Sequence, residues 1–204
     1  IGLLGEMTGA GEDDALVALA AAGGIVARAA DFVHTDSRRD ARNRLVRVLA
    51  GLTDMDGLDV LDATGELLRL ARVPLDDLKL RHEAELEEHE AFTGGSSGAT
   101  KALKDKQKRE LTAREREGVI ELMNVTESWL RDCLAAGEDA SETLANRDER
   151  YAIEATGALL SASAAIRALS SVADARRRLS ANTNAQLVVE AMLFDIREVL
   201  GCPR

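Results

Sequence analysis

Proline stands at only two positions, Pro74 and Pro203, so almost the whole chain is free of the residue that most strongly breaks helices. Alanine (34) and leucine (29) together supply nearly a third of the 204 residues. Valine, isoleucine and aromatic residues are sparse, which leaves little material for strands. The expectation is an all-α fold, a helical bundle. The length is sufficient for one large domain or two small ones with a sizeable core.

Charge and composition then exclude several functions. The formal net charge of −10 argues against a general, charge-driven grip on nucleic acid. Five aromatics (Phe32, Phe92, Trp129, Tyr151 and Phe194) are too few for a base-stacking platform. The longest apolar run, Ala15 to Ala27, is shorter than a membrane span and is interrupted by Gly23-Gly24. Two cysteines, Cys133 and Cys202, have no metal-ligand spacing and fit a reducing, cytoplasmic compartment. The first residue is Ile1 rather than Met, and the start carries no signal-peptide pattern, so the expectation is a piece of a longer protein.

Along the chain the apolar spacing predicts a series of helices. One begins at the acids Glu12-Asp13-Asp14 and ends at Gly23-Gly24; a second spans Ile25 to His34. A third is N-capped by Asp36 and runs to Gly51, and a fourth covers Leu58 to Arg72 in spite of Gly65. Pro74 suits the first turn of the next, which continues through Leu78, Leu86 and Phe92. The stretch TGGSSGA, residues 93–99, reads as a linker.

The flanks of that linker carry opposite charge. Residues 82–90 hold five acids, and residues 101–109 hold five bases: Lys101, Lys104, Lys106, Lys108 and Arg109. An antiparallel helical hairpin would lay the acidic arm beside the basic one, projecting from the body because both arms are poor in large apolar residues. The second arm runs unbroken from Lys101 to Ala136, roughly 50 Å, and turns apolar after Gly118. Gly137 is the expected C′ residue.

Asn146 with Glu149 resembles a capping box, opening a helix through Tyr151 to about Leu160. Ser161 or Ser163 starts the next, which Asn182-Thr183-Asn184 ends. The last helix, Ala185 to Leu200, is apolar nearly all round. Such a helix is buried in a bundle or covered by another subunit.

No catalytic constellation is found. GGSSGATK, residues 94–101, imitates a P-loop with the wrong spacing and no preceding strand. His82, Glu85 and His89 share one helical face, but the better reading is a solvated face rather than a metal site. His34 has no nucleophile in a suggestive setting, and Cys133 reads as a small buried hydrophobe. Arg176-Arg177-Arg178 is expected to satisfy helix C-terminal carbonyls. The expectation is a non-enzyme with no catalytic residue, no metal and no cofactor.

Three stretches carry a resemblance. ARRRLSANTNAQLVVEAMLFDI (175–196) is similar to the closing motif of the delta-prime clamp-loader subunits of bacterial DNA polymerase III. There an arginine-bearing helix ends at an Asn-x-Asn turn before a Leu-x-x-Glu-x-x-Leu helix; Asn182, Asn184, Leu187, Glu190 and Leu193 hold those places. SWLRDCL (128–134), followed by Asn146 and Asp148, resembles the preceding helix and loop. ALAAAGGIVARAADF (18–32) resembles an AAA+ lid, with Arg28-Ala29 matching its Arg-Ala pair.

The resemblance implies an AAA+ lid-like segment over residues 1–50 and a helical collar over 51–204. The hairpin at 79–117 resembles an insertion of actinobacterial relatives. It implies a part that holds the loader ring together while ATP-driven partners load the sliding clamp on primed DNA, within a complex that has DNA polymerase activity. The partners so implied are gamma/tau and delta-type subunits, and indirectly the clamp and primed DNA. Candidate interface or motif residues are Arg28, Trp129, Asn182, Asn184, Leu187, Val188, Glu190, Ala191 and Phe194. The hairpin bases Lys101, Lys104, Lys106, Lys108 and Arg109 are candidates for a DNA or partner contact. An uncovered last helix implies self-association of the isolated chain. The rival reading is a helical scaffold unrelated to replication that binds a protein partner through its charged hairpin.

Overall fold

The computed structural model describes residues 1–93 and 97–201. The centre of the 93–99 linker and Cys202 lie outside these described residues. No strand occurs among them. In chain order the helices are α1 (Gly2–Thr8), α2 (Glu12–Ala21), α3 (Val26–His34), α4 (Asp36–Gly51), α5 (Gly57–Arg72), α6 (Asp76–Thr93), α7 (Ser97–Gly137), α8 (Arg150–Leu159), α9 (Ala162–Ser180) and α10 (Ala185–Leu200).

Helix ends follow local chemistry. Helix α2 stops where Gly23 and Gly24 take φ of 62° and 82°, and Gly24 N–H returns to the Leu19 carbonyl at 2.8 Å. That six-to-one closure needs the left-handed backbone glycine adopts cheaply. Helix α5 opens with a full capping box, the Asp56 side chain accepting from Leu58 and Asp59 N–H while Asp59 accepts from Asp56 N–H. Pro74 lies in a 3-10 turn, Val73–Leu75, that leads into α6.

Three expected helix signals differ in detail. The N-cap of α4 is Thr35, and Asp36 occupies the first turn. Gly137 is the last helical residue of α7; the left-handed residue is Asp139, at φ 58°, and Ala140 N–H closes onto Ala135 O. Asn146 makes no side-chain cap, because its amide is taken up by buried tertiary partners described below.

One hydrophobic cluster extends from Leu4 to Ile196. At its centre the second half of α7 lays down Met123, Trp129, Leu130 and Cys133, each fully buried, against α4, α8, α9 and the elements around them. Helix α10 packs on α9 and α5, burying Val188, Val189, Met192, Leu193 and Ile196. The cluster has no buried member between Leu68 and Val119. The hairpin of α6 and the first half of α7 is thus outside the core, as the scarcity of large apolar residues in both arms predicts.

Helix α7 is 41 residues long, about 60 Å. Two glycines admit its neighbours. A Cβ on Gly118 would stand 2.9 Å from the Ala71 carbonyl oxygen, and one on Gly157 would stand 2.5 Å from that of Cys133. Both helix pairs approach too closely for any side chain there.

Candidate interaction surfaces

The turn between α9 and α10 is built by its two asparagines. Asn182 takes φ of 61°, the left-handed region in which asparagine is tolerated, and Thr183 N–H closes onto the Arg178 carbonyl at 3.2 Å. The Asn184 side chain caps α10, accepting from Gln186 N–H at 2.9 Å and Leu187 N–H at 3.3 Å. The cation that satisfies the end of α9 comes from elsewhere. Arg116 of α7 donates to Leu179 O at 2.8 Å and to Asn182 Oδ1 at 3.2 Å.

The expected role of the arginine triplet is corrected accordingly. Arg176 reaches across to Glu127 and to Asn124 Oδ1 at 2.7 Å, and Arg177 pairs with Asp174 on its own helix. Long side chains starting in the last turns of α9 find carboxylates and an amide nearer than free carbonyls.

Beyond the turn, α10 presents Leu187, Ala191 and Phe194 at helical spacing on its outer face. Leu187 is 60 % exposed, whereas Ala191 and Phe194 are half-buried, Phe194 lying against the start of α5. Glu190 accepts from Gln186 at 2.9 Å on the flank. Trp129 and Val188 are spent on this chain's own core, at 0 % and 1 % exposure. The outer stripe is what α10 offers to anything outside.

Arg28 lies at the root of the hairpin. It is 3.4 Å from Glu117, which also accepts from Arg114 at 2.9 Å. One turn further along α7, Glu121 pairs with Arg38; burial raises its pKa, and the Arg38 guanidinium opposes the rise. A cavity of about 240 Å³ opens there, lined by Asp31, Arg38, Arg81, Glu110, Arg114 and Glu121 among others. Arg38 pairs with Glu121 in the lining, and Arg114 with Glu117 beside it.

The hairpin is antiparallel, as expected, but its arms are not stitched by a charge ladder. Across the seam, Gln107 donates to the His82 carbonyl at 2.9 Å and to Glu85 at 3.0 Å, His82 Nε2 is 3.2 Å from Glu110, and Lys104 is 3.5 Å from Glu90. His82 is buried to 8 % exposure, which corrects the solvated-face reading for that residue. Among the described residues no group of three potential ligands is placed to hold a metal. Lys101, Lys106 and Lys108 are exposed and form no ion pair with described residues; Arg109 donates to the Asp105 carbonyl of its own helix at 3.2 Å. Most of the arm's positive charge therefore faces outward.

Sequence reasoning missed a buried polar lock. Arg42 of α4, 3 % exposed, donates to Asn146 Oδ1 at 2.8 Å and forks onto both oxygens of Asp148, one at 2.9 Å. Asp132 of α7 accepts from Ala145 N–H at 3.1 Å and from Asn146 N–H and Nδ2, both at 2.8 Å. Ser128 accepts the remaining Asn146 proton at 2.9 Å. The Asn146-x-Asp148 spacing was the available signal, but its partner lies about a hundred residues upstream. Cys133, next to Asp132, is a buried hydrophobe as expected; burial pushes its thiol up, Asp132 adding to the effect.

The long helix with an apolar second half, the locked loop, the asparagine turn and the apolar last helix are contiguous in sequence. They fall in one recognised segment. Residues 109–198 match the model of the family described as DNA polymerase III, delta subunit, C terminal. The match supports a C-terminal domain of the clamp-loader delta type over this stretch, from within α7 to near the end of α10. It includes Trp129, both asparagines and the outer stripe of α10, and it leaves out Arg28 and α6. No curated protein and no solved structure matches the chain. Among the described residues no single helix is long and apolar enough to cross a membrane.

Proposed function

We propose that the chain is the lid-and-collar part of a delta-prime-type clamp-loader subunit, acting in the cytoplasm. Residues 1–50 form the lid-like segment, and residues 51–204 form the collar with its charged hairpin at 79–117. Its work is mechanical. The collar holds neighbouring gamma/tau and delta-type subunits in a ring while ATP-driven modules open the sliding clamp and place it on primed DNA. The observation that carries this reading is the family match over 109–198, which ends on the helix with the apolar outer stripe.

In this reading Leu187 and Ala191, with the exposed edge of Phe194, are the adhesive contact. Asn182, Asn184 and Arg116 fix where the stripe points, and Trp129 and Val188 support it from below. Leu187 is the residue to test because its removal exposes nothing in the core. Leu187→Asp should leave helicity and thermal unfolding unchanged and abolish co-purification with gamma/tau and delta-type subunits. Retained co-purification by that variant would remove α10 from the interface.

A second reading rests on the outward-facing Lys101, Lys106 and Lys108, which favour a hairpin that touches an acidic partner or primed DNA. Neutralising those three lysines would then weaken binding and flatten its salt dependence.

A further inference from the structure

Helix α5 has a face that the chain's own fold leaves open. Leu58, Leu61, Asp62, Gly65, Arg69 and Arg72 recur at helical spacing, and all are exposed, the leucines at 66 % and 41 %. The opposite face, from Val60 to Leu68, is buried. Gly65 sits at the middle of the helix, where glycine is a poor helix former. Gly118 and Gly157 are required by close neighbours, but a Cβ on Gly65 would meet nothing within 4 Å. Nothing among the described residues explains this glycine. A glycine that follows two exposed leucines on the same face suits the close approach of a second backbone from outside.

The charges on this face have an order. Asp62 precedes Gly65, and Arg69 and Arg72 follow it. Asp62 and Arg69 form no ion pair with described residues, and Arg72 stands 3.9 Å from Glu115. Asp62 and Arg69 are seven positions apart, about 10 Å along the axis, and cannot pair with each other. A two-fold axis through Gly65 sets an antiparallel copy of α5 across the first. It brings Asp62 against Arg69 of the partner subunit, and lays Leu58 and Leu61 along the aliphatic stems of its arginines. The face also borders α10: Gly57 lies beside Phe194, and Arg72 shares a cleft with Ala185 at the other end.

We propose that α5 is the seat of an isologous dimer, in which a second copy of this chain docks antiparallel across Gly65 through Leu58, Leu61 and reciprocal Asp62–Arg69 pairs. The inference goes beyond the clamp-loader reading and does not depend on it. Its test uses this chain alone, so the failure of one is distinguishable from the failure of the other.

The experiment is sedimentation equilibrium of the full chain over a wide concentration range. The wild type should associate to a dimer. Asp62→Arg and Arg69→Glu should each sediment as monomers, since each homodimer sets like charges together. An equimolar mixture of the two variants should recover the dimer, because only the mixed pair restores both contacts. Gly65→Gln should lose the dimer while its thermal unfolding temperature rises, which separates lost association from lost folding. A monomeric wild type overturns the proposal. So does a wild-type dimer indifferent to the charge variants, or a mixture that stays monomeric.

Discussion

From Ser97 to Glu117, α7 is wet on most sides and is held to α6 by a glutamine, a histidine and one lysine–glutamate pair. From Gly118 to Gly137 the same helix is the axis of the core and carries its one tryptophan. No break in secondary structure separates the halves. The difference lies in what surrounds them, and it teaches that helix formation and helix packing are specified by different residues. Helix-forming side chains sustain α7 throughout. Glycines at the close approaches and a buried charged lock set how the body packs, whereas the hairpin relies on the Gln107–His82 contact and a half-exposed ion pair.

That contrast breaks most readily at Gly157, where α8 meets α7. Gly157→Ala drives a methyl group into the Cys133 carbonyl, and chemical denaturation should show a loss of about 3 kcal/mol. Next comes the lock. Asp132→Ala leaves two backbone N–H groups and one Asn146 amide proton without their acceptor, for an expected loss of about 2–3 kcal/mol by the same measurement. Replacing residues 83–109 by a short glycine–serine linker removes far more of the chain, yet should leave cooperative unfolding within about 1 kcal/mol of the parent. An unfolded product would place the arms in the core. Lys104→Ala, which removes a half-exposed pair in the hairpin, should change stability by less than about 0.5 kcal/mol.

A pH titration sharpens the comparison at the hairpin root. Folded Glu121 holds its proton more tightly than it does in the unfolded chain, since burial raises its pKa. The stability it contributes is fully present below the unfolded pKa and is lost as pH rises through the folded one. Denaturation of wild type and Glu121→Gln, followed from acid to neutral pH, should show the wild type losing ground. A constant gap across that range would contradict the burial of Glu121.

Much of the fold was legible because it was written in local signals. Gly23-Gly24, Ser161, Asn182 and Asn184 act within a few residues of themselves, and all four stand where their chemistry predicts. The apolar turn of α7 after Gly118 was legible for the same reason. What escaped was tertiary choice among residues with several uses. Asn146 suits a cap but finds Arg42 and Asp132. Arg176 could serve a helix end but finds Glu127, while Arg116 from another helix takes the carbonyl. His82 looks like surface until a second arm covers it. Apolar spacing singled out α10 as a candidate interface, but not which of its residues the chain itself would bury.

If the chain is an assembly module, adhesion lies in the body and the hairpin is an appendage. The direct test is to mix purified gamma/tau and delta-type subunits with the full chain and with the form lacking residues 83–109, and to follow complex formation by size-exclusion chromatography. Co-elution of both forms is the predicted result. Co-elution of the full chain alone, with the shortened form folded but left behind, would contradict it and assign binding to the charged arms.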